Sequence, residues 1–134
     1  MKKLILVVAT VLAVAACSMV QPIRNGDNVV IQRFDRKPLS LEQVNQAIYV
    51  AAASRGWKTQ SVAPGHDVLT LDHGILMAAV DVYYTPAAYR IRYKDSRNMS
   101  YSAATQTVHK HYNFWIRNRE ASINAAVQQL RIGS

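Results

Sequence analysis

The sequence predicts an α+β fold, a two-layer sandwich in which two helices pack on one face of an antiparallel meander sheet of three to four strands. Apolar residues recur at helical spacing near residue 45 and again near residue 115, and between these segments they alternate with a period of two. The connections within this middle part are short, and strands joined by short turns pair antiparallel. The predicted order of elements is therefore α-β-β-β-β-α.

The first seventeen residues have the pattern of a bacterial export signal. Lys2 and Lys3 precede Leu4–Ala16, thirteen uncharged residues, which suit a secretory signal and fall short of the ~20 residues that span a bilayer. The run Val14-Ala15-Ala16-Cys17 resembles the lipobox of bacterial lipoproteins, whose cysteine is diacylated, exposed by cleavage and then N-acylated. The resemblance implies a signal peptide at residues 1–16 and lipidation of Cys17. The alternative is an ordinary cleavage site beside a free thiol.

Anchorage and charge together limit the partners. In the resembling lipoproteins an aspartate after the cysteine retains the protein at the inner membrane, and here Ser18 holds that position. We therefore expect the outer membrane, at its periplasmic face. Removing Lys2 and Lys3 from 16 basic residues leaves 14, which against 8 acidic residues gives a net charge of +6. Attachment through acylated Cys17 would bring such a domain to an anionic glycan, a lipid headgroup or an envelope protein, and not to nucleic acid. The same charge could equally serve solubility alone.

The expected domain plan has a tether followed by one folded unit. Residues 17–38 contain Pro22, Gly26 and Pro38 among polar side chains, and we expect a lipidated tether. One strand at Asn28–Phe34 could add to a sheet edge. Residues 39–134 are enough for a single α+β domain with its own core.

A first helix is predicted at Leu41–Arg55, because Ser40 and Gln43 form a capping box and Gly56 follows the last turn. Turn signals at Pro64-Gly65, His73-Gly74 and Thr85-Pro86 then separate four predicted strands, Lys58–Ala63, Asp67–Asp72, Ile75–Tyr84 and Ala88–Lys94. The pairs His66-Asp67 and Asp72-His73 are interpreted as turn residues.

A second helix is predicted from near Thr105, with Gly133 just past its end. Its apolar stripe consists of Val108, Tyr112, Trp115, Ile116, Ile123, Ala126, Val127 and Leu130. Arg119 falls inside this stripe. We expect its stem to cover apolar surface while its guanidinium reaches water or a carboxylate.

Strand alternation predicts a ligand-binding surface. In the last predicted strand the odd-numbered residues are apolar or aromatic from Tyr89 to Tyr93, and cations hold the even positions. Because an antiparallel sheet commonly buries one face, these cations should share the open face. The candidate ligand-binding surface consists of one aromatic residue and four cations: Tyr83, Arg90, Arg92, Lys94 and Arg97. Asp81 is placed to pair across strands with Arg90 or Arg92.

Two runs of the sequence are similar to a pattern in small bacterial lipoproteins that carry a periplasmic α+β domain of uncharacterised function. The runs are YRIRYKDSRNMSY at Tyr89–Tyr101 and YNFWIRN at Tyr112–Asn118, and the helix ending in Arg55-Gly56-Trp57 is similar too. The resemblance covers residues 39–130 and implies a domain type and an envelope location. It carries over no catalytic residue, cofactor or ligand. The aromatic residues of these runs suit either a core with hydrogen-bonded polar tips or a ligand-contacting cluster.

The sequence contains no catalytic signature. A hydrolase needs a nucleophile with an oriented base, or a spaced pair of acids, and neither pattern occurs. His109 and His111 would point apart on a helix, so no metal site is predicted. We expect a non-enzymatic binding or envelope-assembly module without a cofactor. The alternative is a protein-docking inhibitor or an accessory subunit of an envelope complex.

Replacing Cys17 by serine should abolish acylation and release the protein from membranes, because no hydroxyl substitutes for the thiol in this transfer. Mass spectrometry of the mature protein and membrane fractionation measure the two effects, with Ser18→Ala as the neighbouring control. A Cys17→Ser protein that still sediments with outer membranes after a salt wash would contradict the lipobox interpretation.

Overall fold

Seven strands and two helices make up residues 19–130, the part of the chain that the computed structural model describes. In chain order they are β1 (Val20–Pro22), β2 (Gly26–Val30), α1 (Leu41–Ala53), β3 (Lys58–Ala63), β4 (His66–Asp72), β5 (Met77–Tyr84), β6 (Ala88–Arg97), β7 (Thr107–His109) and α2 (Lys110–Gln129). The predicted signal peptide, Cys17 and Gly133 lie outside the described residues.

The predicted α+β class is confirmed, and the meander at its centre is confirmed strand by strand. β3, β4, β5 and β6 pair antiparallel in chain order. The strand count and order differ from the prediction, because β2 adds to the free side of β6 and gives the five-stranded order β2-β6-β5-β4-β3. β1 and β7 form a separate two-stranded sheet. Two strands were therefore missed, β1 and β7, while the strand expected at Asn28–Phe34 forms earlier in the chain, as β2.

The capping box of α1 forms as predicted. The Ser40 side chain accepts from the Gln43 backbone N–H at 3.1 Å, and the Gln43 side chain accepts from the Ser40 N–H at 2.8 Å. The helix ends at Ala53, two residues before the predicted end, and Gly56 at φ +80° turns the chain toward β3. Its buried face consists of Val44, Ala47, Ile48, Ala51 and Ala52.

The second helix begins at Lys110, five residues later than predicted. Thr107–His109 pairs with β1 instead, so the backbone groups of this segment belong to a strand. His109 then caps α2, its Nδ1 accepting from the His111 N–H at 3.1 Å. The predicted apolar stripe is buried or half-buried, and two polar residues are buried beside it, Asn113 and Arg119.

The expectation for Arg119 was wrong. Its guanidinium does not reach water, since the residue is only 1% exposed. It donates to the Ala51 carbonyl near the end of α1 and lies over the Trp57 ring, 5.4 Å from the centroid. The carbonyl ends of a helix and an aromatic face both attract a cation. Burial, and secondarily the charge of Arg55, lowers the pKa of Arg119 to about 10.

The aromatic residues of β6, of the loop that follows it and of α2 lie mainly in the core. The Tyr93 and Tyr101 rings stack with centroids 3.9 Å apart, and Tyr112 tilts against Tyr93 at 5.6 Å. The Tyr93 hydroxyl bonds the Ser96 side chain at 2.7 Å. Trp115 is half-buried and meets Trp57 edge to face at 6.3 Å. These contacts favour the core interpretation of the aromatic run over a ligand-contacting cluster.

The segment expected to be a tether is instead fastened along α2. Near the start of α2, the Asn113 amide donates to the side chain of Gln21 at 3.1 Å and to the Pro22 carbonyl at 2.9 Å, and its oxygen accepts from the Arg24 N–H at 2.8 Å. Further along, Arg24 forms an ion pair with Glu120 at 2.9 Å.

A second set of hydrogen bonds joins the same segment to the C-terminal end of α2. Arg33 donates to the Val127 carbonyl at 2.7 Å, and the Gln128 side chain accepts from the Phe34 N–H at 2.9 Å. The segment thus follows α2 from its first turn to its last. We call residues 20–34 the N-terminal strap. The expected strand at Asn28–Phe34 does add to the sheet edge, but as β2 it begins and ends earlier in the chain.

Asn113→Ala should lower the free energy of unfolding by about 1–3 kcal/mol, because it leaves the part-buried Pro22 carbonyl and Arg24 N–H without their partner. Urea unfolding measures the loss. Asn124→Ala is the matched control, since Asn124 is exposed on the same helix and carries the same change in helix propensity. Equal stability of the two variants would show that the strap contributes little.

Candidate functional site

One face of the five-stranded sheet has no helix on it within residues 19–130. Inward residues of β4, β5 and β6 share the core with both helices, and the residues between them form the outer sheet face. By register this face holds Lys58, Gln60, His66, Val68, Thr70, Asp72, Met77, Ala79, Asp81, Tyr83, Arg90, Arg92, Asp95 and Arg97. Four of the five predicted surface residues belong to it.

The predicted alternation is confirmed as far as Tyr93 and fails at Lys94. Arg90 lies opposite Tyr83 and Arg92 opposite Asp81, while Ile91 between them is buried. The register then shifts, since Tyr93 partners Val80 and Asp95 partners Ala79. Lys94 is the extra residue of this bulge and is exposed without a partner in β5. Arg97 returns to the outer sheet face opposite Met77.

Tyr83 is held between two side chains from neighbouring strands. The His66 ring stacks on it with centroids 4.3 Å apart, and the Arg90 guanidinium lies over the ring, 4.8 Å from its centroid. Tyr83 is on the central strand of the three, so the two neighbours approach from opposite sides. The stack fixes the position of the Arg90 guanidinium over the Tyr83 ring.

Two of the four predicted cations have carboxylate partners. Arg92 forms an ion pair with Asp27 of β2, and Arg97 pairs with Asp72 at 2.8 Å and with the Gly74 carbonyl at 2.7 Å. The pKa of Asp72 is lowered by the Gly74 N–H that it accepts and then by the charge of Arg97. Arg90 and Lys94 make no ion pair in the described part of the chain.

The expected pairing of Asp81 with an arginine is not what the structure contains. Asp81 lies opposite Arg92, but its Oδ1 bonds the His66 Nε2 at 2.7 Å. His66 is therefore a strand residue with a partner, and not a turn residue. Together with Lys94 of the bulge and Asp27 of β2, the outer sheet face carries five basic and four acidic side chains: Lys58, Arg90, Arg92, Lys94 and Arg97 with Asp27, Asp72, Asp81 and Asp95. Its net charge is therefore small.

A concavity of about 430 Å³ lies where β2 meets the ends of β5 and β6. Its lining includes Tyr83, Arg90 and Arg92 together with Asp27 and Thr85. The structure thus brings three of the five predicted residues into one depression. Lys94 and Arg97 do not line it.

Sequence reasoning missed a second polar cluster, between α1 and the β3–β4 hairpin. Asp67 is 0% exposed and accepts from the Ser61 hydroxyl at 2.9 Å, and burial raises the pKa of its carboxyl group. Asn45 of α1 and the Tyr84 hydroxyl complete its surroundings. An adjacent cavity of about 500 Å³ is lined by Leu41, Asn45, Ser61, Val62, Pro64 and Tyr84. The available signal was an aspartate in a predicted strand of alternating apolar residues, although the pair His66-Asp67 is also typical of a turn.

Residues 19–130 contain no group of three or more His, Cys, Asp or Glu side chains placed to hold a metal ion. The His109 and His111 rings lie 4.5 Å apart, but the Nδ1 of His109 is occupied as the cap of α2. Burial, with the charges of His111 and Lys110, lowers the pKa of His109. No helix in this part of the chain has the length and apolar character to cross a membrane.

Comparison with known protein families, with curated proteins and with solved structures found no match to this chain. Its function therefore has to be inferred from its own residues.

Removing the charges of Arg90, Arg92 and Lys94 together, as the triple glutamine variant, should change the free energy of unfolding by less than about 1 kcal/mol, because exposed charges and surface ion pairs contribute little. Arg119→Gln makes the same chemical change at a buried cation and should lower the unfolding midpoint more. If the triple variant were the less stable of the two, these residues would have a structural role.

Proposed function

We propose that the protein is a non-enzymatic binding module, anchored through acylated Cys17 at the periplasmic face of the outer membrane, whose ligand surface is the outer sheet face. The observation that carries this proposal is the concavity beside the stacked Tyr83–Arg90 pair. It combines a concave surface, an aromatic ring and a positioned guanidinium, which are features expected of a polar ligand site. The lipobox resemblance and the basic composition support the compartment.

The charge pairing favours a compact anionic group as the ligand. A long polyanion gains affinity from many unpaired cations along its path, whereas Arg92 and Arg97 are already paired within the protein. Arg90 is unpaired among the described residues, and Arg92 can share its guanidinium between Asp27 and a ligand. A phosphate or carboxylate on an envelope glycan or a lipid headgroup matches this arrangement.

A second candidate function, docking of an envelope protein, is supported by β3. This strand is the edge of the sheet, and no described strand pairs with its free side. Five of its six residues are exposed, including Val62 at the mouth of the cavity beside α1. An extended segment of a partner could add to this edge and place a side chain in the cavity. The protein would then be an inhibitor or an accessory subunit of an envelope complex.

Arg90→Gln should weaken binding of lipid A or of soluble peptidoglycan fragments about tenfold or more, since a hydrogen bond to a charged group contributes ~1.5–3 kcal/mol. Arg36→Gln, an exposed arginine in the loop before α1, makes the same change in net charge and should leave affinity unchanged. Titration calorimetry at low and at physiological salt measures both.

If Arg90→Gln and Arg36→Gln lost equal affinity, binding would depend on net charge alone. That result would contradict a site at the concavity. Binding lost on Val62→Glu, which puts a charge on the sheet edge, and retained in Arg90→Gln would favour protein docking.

A further inference from the structure

The first strand begins three residues after the proposed lipid anchor, because Val20 already pairs with His109 in β1. An extended chain spans at most ~3.3–3.6 Å per residue, so three residues cannot reach more than about 11 Å from Val20. A free tether over residues 17–38 would have reached about 70 Å. Because the strap is bonded along α2, the chain before the fold is short. The proposed anchor would therefore hold the end of the domain that contains β1 at the bilayer.

That end contains the start of α2 and the β4–β5 turn. Val20 partners His109, the cap of α2. The His109 N–H donates to the Met99 carbonyl at 2.6 Å, and the preceding residue, Asn98, donates to the Ile75 carbonyl at 2.7 Å. A chain of direct contacts therefore connects the anchored strand with the β4–β5 turn.

The segments that meet at this end carry exposed apolar side chains. Ile75 is 76% exposed in the β4–β5 turn, and Phe114 is 54% exposed in the second turn of α2. Met19 and Val20 are also exposed, just before and at the start of the strap. We call Met19, Val20, Ile75, Lys110, Phe114 and Arg117 the anchor-side surface.

The charge of the anchor-side surface is positive. Lys110, Phe114 and Arg117 are spaced i, i+4 and i+7 and lie on one face of α2. Residues 110–119 contain no acidic side chain, and Glu120, the first one, is paired with Arg24. An exposed aromatic residue flanked by cations is the composition of helices that lie against anionic headgroups.

We propose that the anchor-side surface docks on the anionic phospholipid surface of the membrane in which Cys17 is anchored, so that the domain stands on the bilayer with the start of α2 toward it. The inference rests on the proposed acylation of Cys17. Docking places Phe114 and Ile75 among the headgroups and leaves the last turn of α2 away from them. The lipid anchor and the protein surface then act as two signals for the same membrane.

The chain provides its own control, because it has two phenylalanines and both are exposed. Phe34 is 87% exposed, and its backbone is bonded to Gln128 near the other end of α2. Fourteen residues of helix separate Phe114 from Gln128, which is about 21 Å. Only Phe114 should enter the headgroup region.

The test uses the full mature, acylated protein in vesicles of phosphatidylethanolamine and phosphatidylglycerol with brominated acyl chains. Phe114→Trp and Phe34→Trp each add one fluorophore to the same background of Trp57 and Trp115. Bromolipid should quench the added emission of Phe114→Trp and leave that of Phe34→Trp unchanged. Adding Lys110→Gln and Arg117→Gln to Phe114→Trp should reduce the equilibrium constant for docking about fivefold per cation. This loss should occur only when phosphatidylglycerol is present.

Mass spectrometry shows whether Cys17 is acylated, and so distinguishes failure of the anchor from failure of the docking surface. Acylated protein in which both added tryptophans are quenched equally, or neither is quenched, overturns the docking surface and leaves the anchor intact. Unacylated protein overturns the anchor and the docking surface together.

Discussion

Asn113 fixes the N-terminal strap to α2, and the positions of β1, β7 and β2 depend on that attachment. Its buried amide satisfies a carbonyl, a side chain and an N–H of the strap at once. Through these bonds β1 stays beside β7, and His109 at the end of β7 can cap α2. The strap then continues into β2 and closes the edge of the sheet. A polar residue inside a helix that packs on the core is tolerated because all its hydrogen-bonding groups have partners.

The strap also connects the proposed anchor with the candidate site. Asp27 belongs to β2 and neutralises Arg92, so the same segment that follows Cys17 shapes the concavity and lowers its positive charge. Ligand specificity in such a site depends on the position of a few groups more than on total charge. With the proposed signal peptide removed, the chain has a net charge of +6, but its outer sheet face is close to neutral. The cations without an ion pair in residues 19–130 include Arg90, Lys94 and Arg117.

Local patterns predicted α1 and the strands β3 to β6 because their signals lie within each segment: a capping box, a period of two and tight turns. The features that sequence reasoning missed involve partners far apart in the chain. Asn113 and Pro22 are separated by 91 positions, and Arg119 and the Ala51 carbonyl by 68. Prolines and polar residues between Ser18 and Pro38 resemble a linker when their distant partners are unknown. The bulge at Lys94 likewise arises from the pairing of β6 with β5, and the alternation of β6 alone does not predict it.

Amide hydrogen exchange of the strap in the mature protein tests this account most directly. The Ile23 N–H donates to the Gln106 carbonyl, and the Ile31 N–H donates to the Ala87 carbonyl. The Arg24 N–H donates to the side-chain oxygen of Asn113. The account predicts that all three exchange far more slowly than free chain and on the scale of amides in α1. Exchange of these three amides at unprotected rates, while α1 remains protected, would mean that the segment is a tether after all and that the anchor does not orient the domain.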